Sequence, residues 1–156
     1  VIAGDGPERQ NIEEKIASAG PCVSSRIKLV GYQDKEGVRR YAEGASLAVA
    51  SSRWRENMPY SIVEAFALGT PVIGTNIGGI PELVVEGETG FICEPNSTSS
   101  LADAIIRGFD TFNDEARYAS MQSRCRAYVL ERCSQIKYME DLTTLYQELI
   151  DGEKGN

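Results

Sequence analysis

Short apolar runs rich in β-branched residues alternate with helical patterns along most of the chain. The clearest runs are Arg26 to Gly31, Leu47 to Ala50 and Pro71 to Gly74. With the shorter runs Val1 to Ala3 and Gly90 to Cys93, we count about five predicted strands. Strands that alternate with helices are typical of a parallel sheet with crossover connections. The pattern therefore predicts an α/β protein.

Glycine and proline mark the ends of the predicted helices. The first helix follows Gly4-Asp5-Gly6-Pro7 and ends near Gly20-Pro21. The second fits Lys35 to Ala45, and the third runs from Pro59 to Leu68, where Gly69 stops it. After residue 97 the apolar residues recur at helical spacing with no strands between them, so we expect the C-terminal third to be packed helices. The members of these stripes are Leu101, Ala104, Ile105, Tyr118, Met121, Tyr138, Leu142, Leu145, Tyr146 and Leu149.

Composition limits the class of protein. With 156 residues and 42% apolar content, the chain can bury a core, and we predict one domain over residues 1–150 followed by a disordered polar tail at 151–156. The net charge of -7 argues against a nucleic-acid partner. No apolar run approaches the ~20 residues that cross a bilayer.

The chain contains no histidine, and its four cysteines have no metal-ligand spacing. A Cys/His zinc site is therefore excluded, as are Ser-His and Cys-His nucleophile pairs. We interpret the cysteines as reduced thiols of a cytoplasmic protein. Chemistry must then depend on carboxylates, backbone amides or the bound substrate.

Gly4 and Gly6 follow a predicted strand, as in a dinucleotide-binding fingerprint. The third glycine of that pattern is absent, because Arg9 occupies its place. A tight turn between strand and helix is the favoured interpretation.

A carboxylate stands within the third predicted helix, which is otherwise mostly apolar. Tyr60 and Ser61 lie four and three residues before Glu64, so the three polar groups share one helical stripe that can line a cleft. We expect the helix to be buried against the sheet, where a carboxylate needs hydrogen-bond donors such as paired ribose hydroxyls. A structural carboxylate bonded to backbone or to an arginine is an equally weighted alternative.

Glu56 lies in the loop before this helix. The N-terminal end of the helix offers unpaired amides and the positive end of the helix dipole, which suit a phosphate or a sugar oxygen. The alternative for Glu56 is a solvated loop residue.

The next predicted strand ends in a glycine-rich segment that contains Gly78 and Gly79. Small residues at the carboxyl end of a parallel strand let a ligand approach the backbone, and we expect consecutive amides here to form an anion-binding nest. Glu82 then begins a short helix, where an acidic residue is also favoured by the helix dipole alone.

Several of these segments occur together in a known order. They are the Glu-x7-Glu pair of Glu56 and Glu64, the run EAFALGTPV that begins at Glu64, Gly78-Gly79-Ile80-Pro81-Glu82, and Glu88-Thr89-Gly90-Phe91. Over nearly the whole chain, from Gly4 to Tyr146, the sequence resembles family 4 of the retaining glycosyltransferases, which have the GT-B fold. The resemblance implies the Rossmann-like, donor-binding C-terminal domain of such an enzyme.

The resemblance also implies roles for individual residues. Glu64 is expected to bind the ribose of a nucleotide-sugar, and Glu56, as the catalytic residue, to contact the donor sugar. The other expected donor-binding residues are Met58, Tyr60, Ser61, Gly78, Gly79, Gly31 and Tyr32. The resemblance implies that the last two lie beside the base, and an ordinary loop aromatic is the alternative for Tyr32. Pro59 departs from the more common glycine and lacks an N–H. No metal and no other cofactor is expected.

Parts of the family pattern are missing from this sequence. Family members carry an Arg and a Lys that bind the diphosphate on a preceding strand and helix, and they have an acceptor-binding N-terminal domain. We therefore expect a fragment that is inactive alone, with exposed strand edges. Three outcomes stay open for these edges: closure of the gap within the sheet, a homo-oligomer, or a place in a larger assembly. Arg53 and Arg55 are weak candidates to replace the missing cations. The parent enzyme is expected in the cytoplasm, and a peripheral position at the inner face of the membrane stays open as an alternative.

The implied reaction transfers a sugar from a UDP- or GDP-linked donor to an acceptor hydroxyl with retention of configuration. Two other classes share parts of the pattern. A flavodoxin-like receiver needs clustered acidic residues after its first strand, which the sequence lacks. A non-catalytic nucleotide-binding or interaction domain of GT-B type stays open as the alternative.

Overall fold

The computed structural model describes residues 1–153 and confirms an α/β fold with parallel sheets. The strands are β1 (Ile2–Ala3), β2 (Leu29–Gly31), β3 (Ala48–Ala50), β4 (Val72–Thr75) and β5 (Gly90–Cys93). The helices are α1 (Arg9–Ser18), α2 (Pro21–Ser24), α3 (Lys35–Glu43), α4 (Tyr60–Leu68), α5 (Ile80–Leu83), α6 (Thr98–Phe112), α7 (Glu115–Arg132) and α8 (Gln135–Glu153). The chain forms two compact units that meet in sequence between Gly44 and Ala45. The single domain predicted over residues 1–150 stays a prediction.

The first unit contains a two-stranded parallel sheet. β1 pairs with β2 in the register Ile2 to Leu29, and the Gly4 amide extends the ladder by donating to the Gly31 carbonyl over 2.8 Å. Helix α3 begins at a side-chain cap, because Asp34 accepts a hydrogen bond from the Gly37 amide at 2.8 Å. The short helix α2 is an addition to the sequence prediction.

The second unit is built on the sheet β3-β4-β5, with all three strands parallel. Consecutive residues of β4 point to opposite faces. Val72 packs with Ile62 and Phe66 of α4 on one face, whereas Ile73 packs with Met121 of α7 on the other. Both faces of the sheet are therefore covered, as parallel sheets require.

Helix α4 ends where the sequence predicts. Gly69 adopts the left-handed conformation with φ 79°, which glycine takes without a Cβ clash, and closes the last turn. Phe66 is fully buried and makes an edge-on contact with Tyr128 of α7, with ring centroids 5.8 Å apart. These contacts anchor the helix that carries Glu64.

The C-terminal third is helical, as expected, but its last stripe is not packed within the described residues. On α8 the side chains of Tyr138, Leu145, Tyr146 and Leu149 are exposed, and Leu142 is half-buried. Helix α8 continues to Glu153, so the tail predicted at 151–156 begins as helix. Residues 154–156 lie outside the described residues.

Gly90 provides a test of the sheet. A Cβ at this position would lie 1.8 Å from the Val72 carbonyl oxygen, so strands β4 and β5 would have to separate. We expect Gly90→Ala to lower the free energy of unfolding by about 3 kcal/mol, measured by urea denaturation. Gly6→Ala is the control, because nothing lies within 4 Å of its Cβ position. Equal stability of the two variants would contradict the observed strand spacing.

The cysteines provide a second test. Burial raises the pKa of the Cys125 thiol to about 12, whereas Cys22 is exposed. Because the thiolate is the reactive form, a thiol reagent at pH 8 should modify Cys22 quickly and Cys125 only after denaturant is added. Mass spectrometry of the modified peptides locates the label. Rapid labelling of Cys125 in the native protein would show that its surroundings open readily.

Candidate functional site

The site is built at the carboxyl ends of β3 and β4, where ligands bind in open α/β sheets. Ser52 lies in the loop that follows β3, and Thr75 is the last residue of β4. The Thr75 hydroxyl donates to the Ser52 carbonyl over 2.8 Å. This bond ties the loop before α4 to the neighbouring strand.

Glu56 is half-buried in this loop. The Ser52 hydroxyl donates to its carboxylate, and the Gly79 amide donates to its carbonyl over 2.8 Å. A freely solvated loop glutamate, the alternative from sequence, does not have these contacts. The side chain and the backbone of Glu56 are therefore both held in place.

Gly78 and Gly79 have a different structural use from the one the sequence predicted. A Cβ on Gly78 would lie 2.5 Å from the Glu56 carbonyl oxygen, and a Cβ on Gly79 would lie 1.9 Å from that of Asn57. The expected row of free amides is not formed here, because the Gly79 amide is already bonded to Glu56 and the Ile77 amide to the Thr75 carbonyl. The missing side chains let the loop of Glu56 approach. Donor contacts from Gly78 and Gly79 stay predictions.

Helix α4 begins beside Glu56 without a side-chain cap. Pro59 is the N-cap residue, and its carbonyl accepts from the Ile62 amide at 3.0 Å. The amides of Tyr60 and Ser61 have no acceptor among the described residues. By contrast, α3, α6 and α7 have the side-chain caps Asp34, Ser97 and Asp114. Two N–H groups of α4 are thus available at the positive end of the helix dipole.

Glu64 lies on the solvent side of α4, and here the expectation of burial was wrong. The helix buries Ile62, Ala65 and Phe66 and exposes Glu64 together with Tyr60 and Ser61. Apolar residues at three- and four-residue spacing give the helix one core face, which leaves its carboxylate hydrated. Within the described residues Glu64 has no hydrogen bond or ion pair, so the structural alternative for this residue is not observed. The predicted stripe of three polar groups is formed, and it is accessible.

The loop also exposes Arg53, Trp54 and Arg55. Trp54 is 75% exposed, and neither arginine has an ion-pair partner among the described residues. Arg53 lines a cleft of about 220 Å³ above the ends of the three strands. The other lining residues are Ser51, Thr75, Cys93, Glu94, Asn96, Ser97, Thr98 and Leu101. Met58, further along the loop, is 42% exposed.

Gly31 and Tyr32, predicted beside the base, belong to the first unit. Gly31 has φ 67°, and a Cβ there would lie 3.3 Å from a guanidinium nitrogen of Arg9. Tyr32 is 79% exposed, and its carbonyl accepts from the Gln33 side chain at 3.0 Å. Contacts of Gly31 and Tyr32 with a base stay predictions.

Sequence reasoning missed Ser52 and Thr75. The two residues are 23 positions apart, so their hydrogen bond follows from the strand pairing and not from local spacing. A signal existed for Ser52, since it is a hydroxyl residue two positions after the end of a predicted strand and four residues before Glu56.

No group of three or more His, Cys, Asp or Glu side chains within residues 1–153 is arranged to hold a metal ion. None of the described helices has the length and apolar character that spanning a membrane requires. The expectation of a metal-free reaction stays a prediction.

Comparison with known proteins assigns the family. A family model described as glycosyl transferases group 1 matches residues 1–126. The chain belongs to this family. It is 30% identical over 155 residues to an N-acetyl-alpha-D-glucosaminyl L-malate synthase of Bacillus anthracis. It is 28% identical over 156 residues to a glycogen synthase of Mycobacterium tuberculosis. The matches cover 99% of this chain but 39% and 35% of those two proteins.

Solved structures share the fold of this chain. HepE of Anabaena, in complex with UDP, superposes with a TM-score of 0.77 at 22% identity, over 94% of this chain and 40% of HepE. A sucrose-phosphate synthase of Thermosynechococcus elongatus gives a TM-score of 0.75 at 26% identity, over 96% of this chain and 37% of the synthase. The fold is that of the GT-B glycosyltransferases, as the sequence resemblance implied.

The glycine contact at Glu56 can be tested with Gly79→Ala. The added Cβ must displace the backbone at Asn57, so we expect the loop around Trp54 to move. Trp54 is the single tryptophan, and its fluorescence emission should change. Gly44→Ala is the control, since its Cβ would be 3.5 Å from the nearest atom, an ordinary contact. Unchanged emission from a folded Gly79→Ala protein would contradict this packing.

Proposed function

We propose that this chain is the donor-binding domain of a retaining glycosyltransferase that transfers a sugar from a UDP- or GDP-linked donor to an acceptor hydroxyl. One observation carries the proposal. Glu56 is held beside the uncapped N-terminus of α4, and the same helix presents the carboxylate of Glu64, which has no partner in the described part of the chain. An anchored acid, free amides and an unpaired acid meet the chemical needs of a sugar, a phosphate and a ribose.

Glu64 is proposed to bind the ribose. An ionised carboxylate has two acceptor oxygens, and the vicinal hydroxyls of ribose provide two donors. Hydrogen bonds to a charged group are the stronger kind. Because Glu64 has no partner in the described residues, the ribose does not have to displace one.

The free amides of α4 are proposed to stabilise the leaving diphosphate. Negative charge develops on the phosphate oxygen as its bond to the sugar breaks, and preoriented N–H groups stabilise such charge. The amides of Tyr60 and Ser61 have no acceptor within residues 1–153, and the amide of Met58 precedes them in the loop. Pro59 contributes no N–H.

Glu56 is proposed to contact the donor sugar as the catalytic residue. Its carboxylate can accept hydrogen bonds from sugar hydroxyls and orient the ring for reaction. Since the chain has no histidine, we propose that the leaving phosphate oxygen takes the proton of the acceptor hydroxyl. Attack from the face that the diphosphate leaves then retains the anomeric configuration.

The similar proteins support a transferase of this class. One relative is named an N-acetyl-alpha-D-glucosaminyl L-malate synthase, another is named a glycogen synthase, and HepE was solved with UDP bound. The chain spans 39% of the length of the Bacillus anthracis relative, so we propose that acceptor binding involves regions that correspond to the rest of that relative. The chain alone is proposed to bind the donor without transferring the sugar.

Nucleotide binding is the first test. Titration of the chain with UDP, GDP and ADP, followed by amide NMR, should give saturable shifts at residues 56–64 for the nucleotide that matches the donor. Shifts at Gly31 and Tyr32 would test the predicted base contact. If a well-folded chain shows no shifts in residues 56–64 with any of the three nucleotides, the proposed donor site in this chain is wrong.

Glu64→Ala tests the ribose contact. Removing two hydrogen bonds to a charged group should weaken nucleotide binding about tenfold or more, measured by calorimetry. The melting temperature should stay within about 1 °C, because Glu64 is exposed and unpaired. Glu131→Ala is the matched control, since Glu131 is another exposed helical glutamate without a partner in the described residues. Equal nucleotide affinity of Glu64→Ala and wild type would rule out the ribose role.

A further inference from the structure

Ser52 is the residue that the structure connects most directly to Glu56. Its hydroxyl donates to the Glu56 carboxylate, and its own carbonyl accepts from the Thr75 hydroxyl at 2.8 Å. We propose that Ser52 is a positioning residue, which sets the orientation of the Glu56 carboxylate toward the donor sugar. This inference rests on the proposed function of Glu56.

The Thr75 hydroxyl, which donates to the Ser52 carbonyl, is itself fixed. Thr75 is 4% exposed and stands at the end of the central strand of β3-β4-β5, so its hydroxyl is a rigid reference point. The hydrogen bond from Thr75 fixes the backbone of the loop at Ser52. A short, rigid connection therefore runs from the sheet through Ser52 to the carboxylate.

Glu56 needs such a contact because its side chain is long. Glutamate has three rotatable side-chain bonds, and ordering a side chain of this kind costs about 1.5 kcal/mol or more in rotamer entropy. The Gly79 amide fixes the backbone of Glu56 but leaves these bonds free. One carboxylate oxygen accepts from Ser52, and the other stays available to a sugar hydroxyl.

This role differs from simple support of the loop. The bond from Gly79 to Glu56 and the close packing at Gly78 do not involve the Ser52 side chain. Loss of the Ser52 hydroxyl should therefore leave the loop in place and release the carboxylate alone. We expect the step that uses the oriented carboxylate to slow, while nucleotide binding through Glu64 is unchanged.

The experiment measures kinetics in the natural full-length protein, with the donor nucleotide identified by titration. Ser52→Ala should lower kcat about 10- to 100-fold, while the KM for the donor changes less than about twofold. Ser52→Thr, which keeps the hydroxyl, should retain most of the activity, whereas Ser52→Val, of the same shape, should behave like Ser52→Ala. Ser123→Ala is the control, because Ser123 is an exposed serine whose hydroxyl bonds to the Ala119 carbonyl.

A double-mutant cycle separates positioning from an independent role. In a Glu56→Ala protein there is no carboxylate to orient, so adding Ser52→Ala should change kcat less than about twofold. Additive losses would overturn the proposal. Should Ser52→Ala fail to fold, the comparison of Ser52→Thr with Ser52→Val decides, and equal kcat in those two variants also overturns it.

The outcomes distinguish this inference from the proposed function. If Glu56→Ala abolishes transfer but Ser52→Ala keeps the wild-type kcat, Ser52 does not position Glu56 and the role of Glu56 stands. If Glu56→Ala itself keeps the wild-type kcat, the proposed role of Glu56 is wrong. A loss expressed in the donor KM alone, with kcat unchanged, would assign Ser52 to binding and overturn the positioning role.

Discussion

The contact between two backbone segments determines the geometry of the site. The Gly79 amide donates to the Glu56 carbonyl, and the two glycines leave no side chain between the segments. Any Cβ at Gly78 or Gly79 would enter the space of the loop. Because this loop leads directly into α4, the same contact fixes where the helix begins and which of its amides stay free.

Helix α4 packs against the sheet with one face and presents polar groups to solvent on the other. Its core face holds Phe66 and Ile62 against the sheet, so the helix axis is fixed by close packing. Its opposite face and its first turn make few contacts and present polar groups to solvent. Rigid support and unpaired polar groups on one helix are what a preorganised binding site requires, since little ordering remains to be done when a ligand arrives.

The fold was largely predictable from the sequence because its signals are local. Apolar runs located all five strands of the described chain, and Gly69 marked the end of α4. The environment of the site was less predictable. The exposure of Glu64 depends on which face of α4 meets the sheet, and the Thr75 bond to Ser52 depends on strand pairing across 23 positions. Composition and spacing identify the residues, whereas long-range packing decides their surroundings.

The exposure of α8 has a consequence for the dynamics of the chain. Over residues 135–152 none of its residues is fully buried, and Leu142 is among the few that are half-buried. Most helical stability in proteins comes from packing of an apolar face against the rest of the fold, and α8 has little such packing among the described residues. Helix α8 should therefore open and close without disturbing the sheet. Hydrogen exchange would then divide the second unit into a slow core around β4 and a fast C-terminal helix.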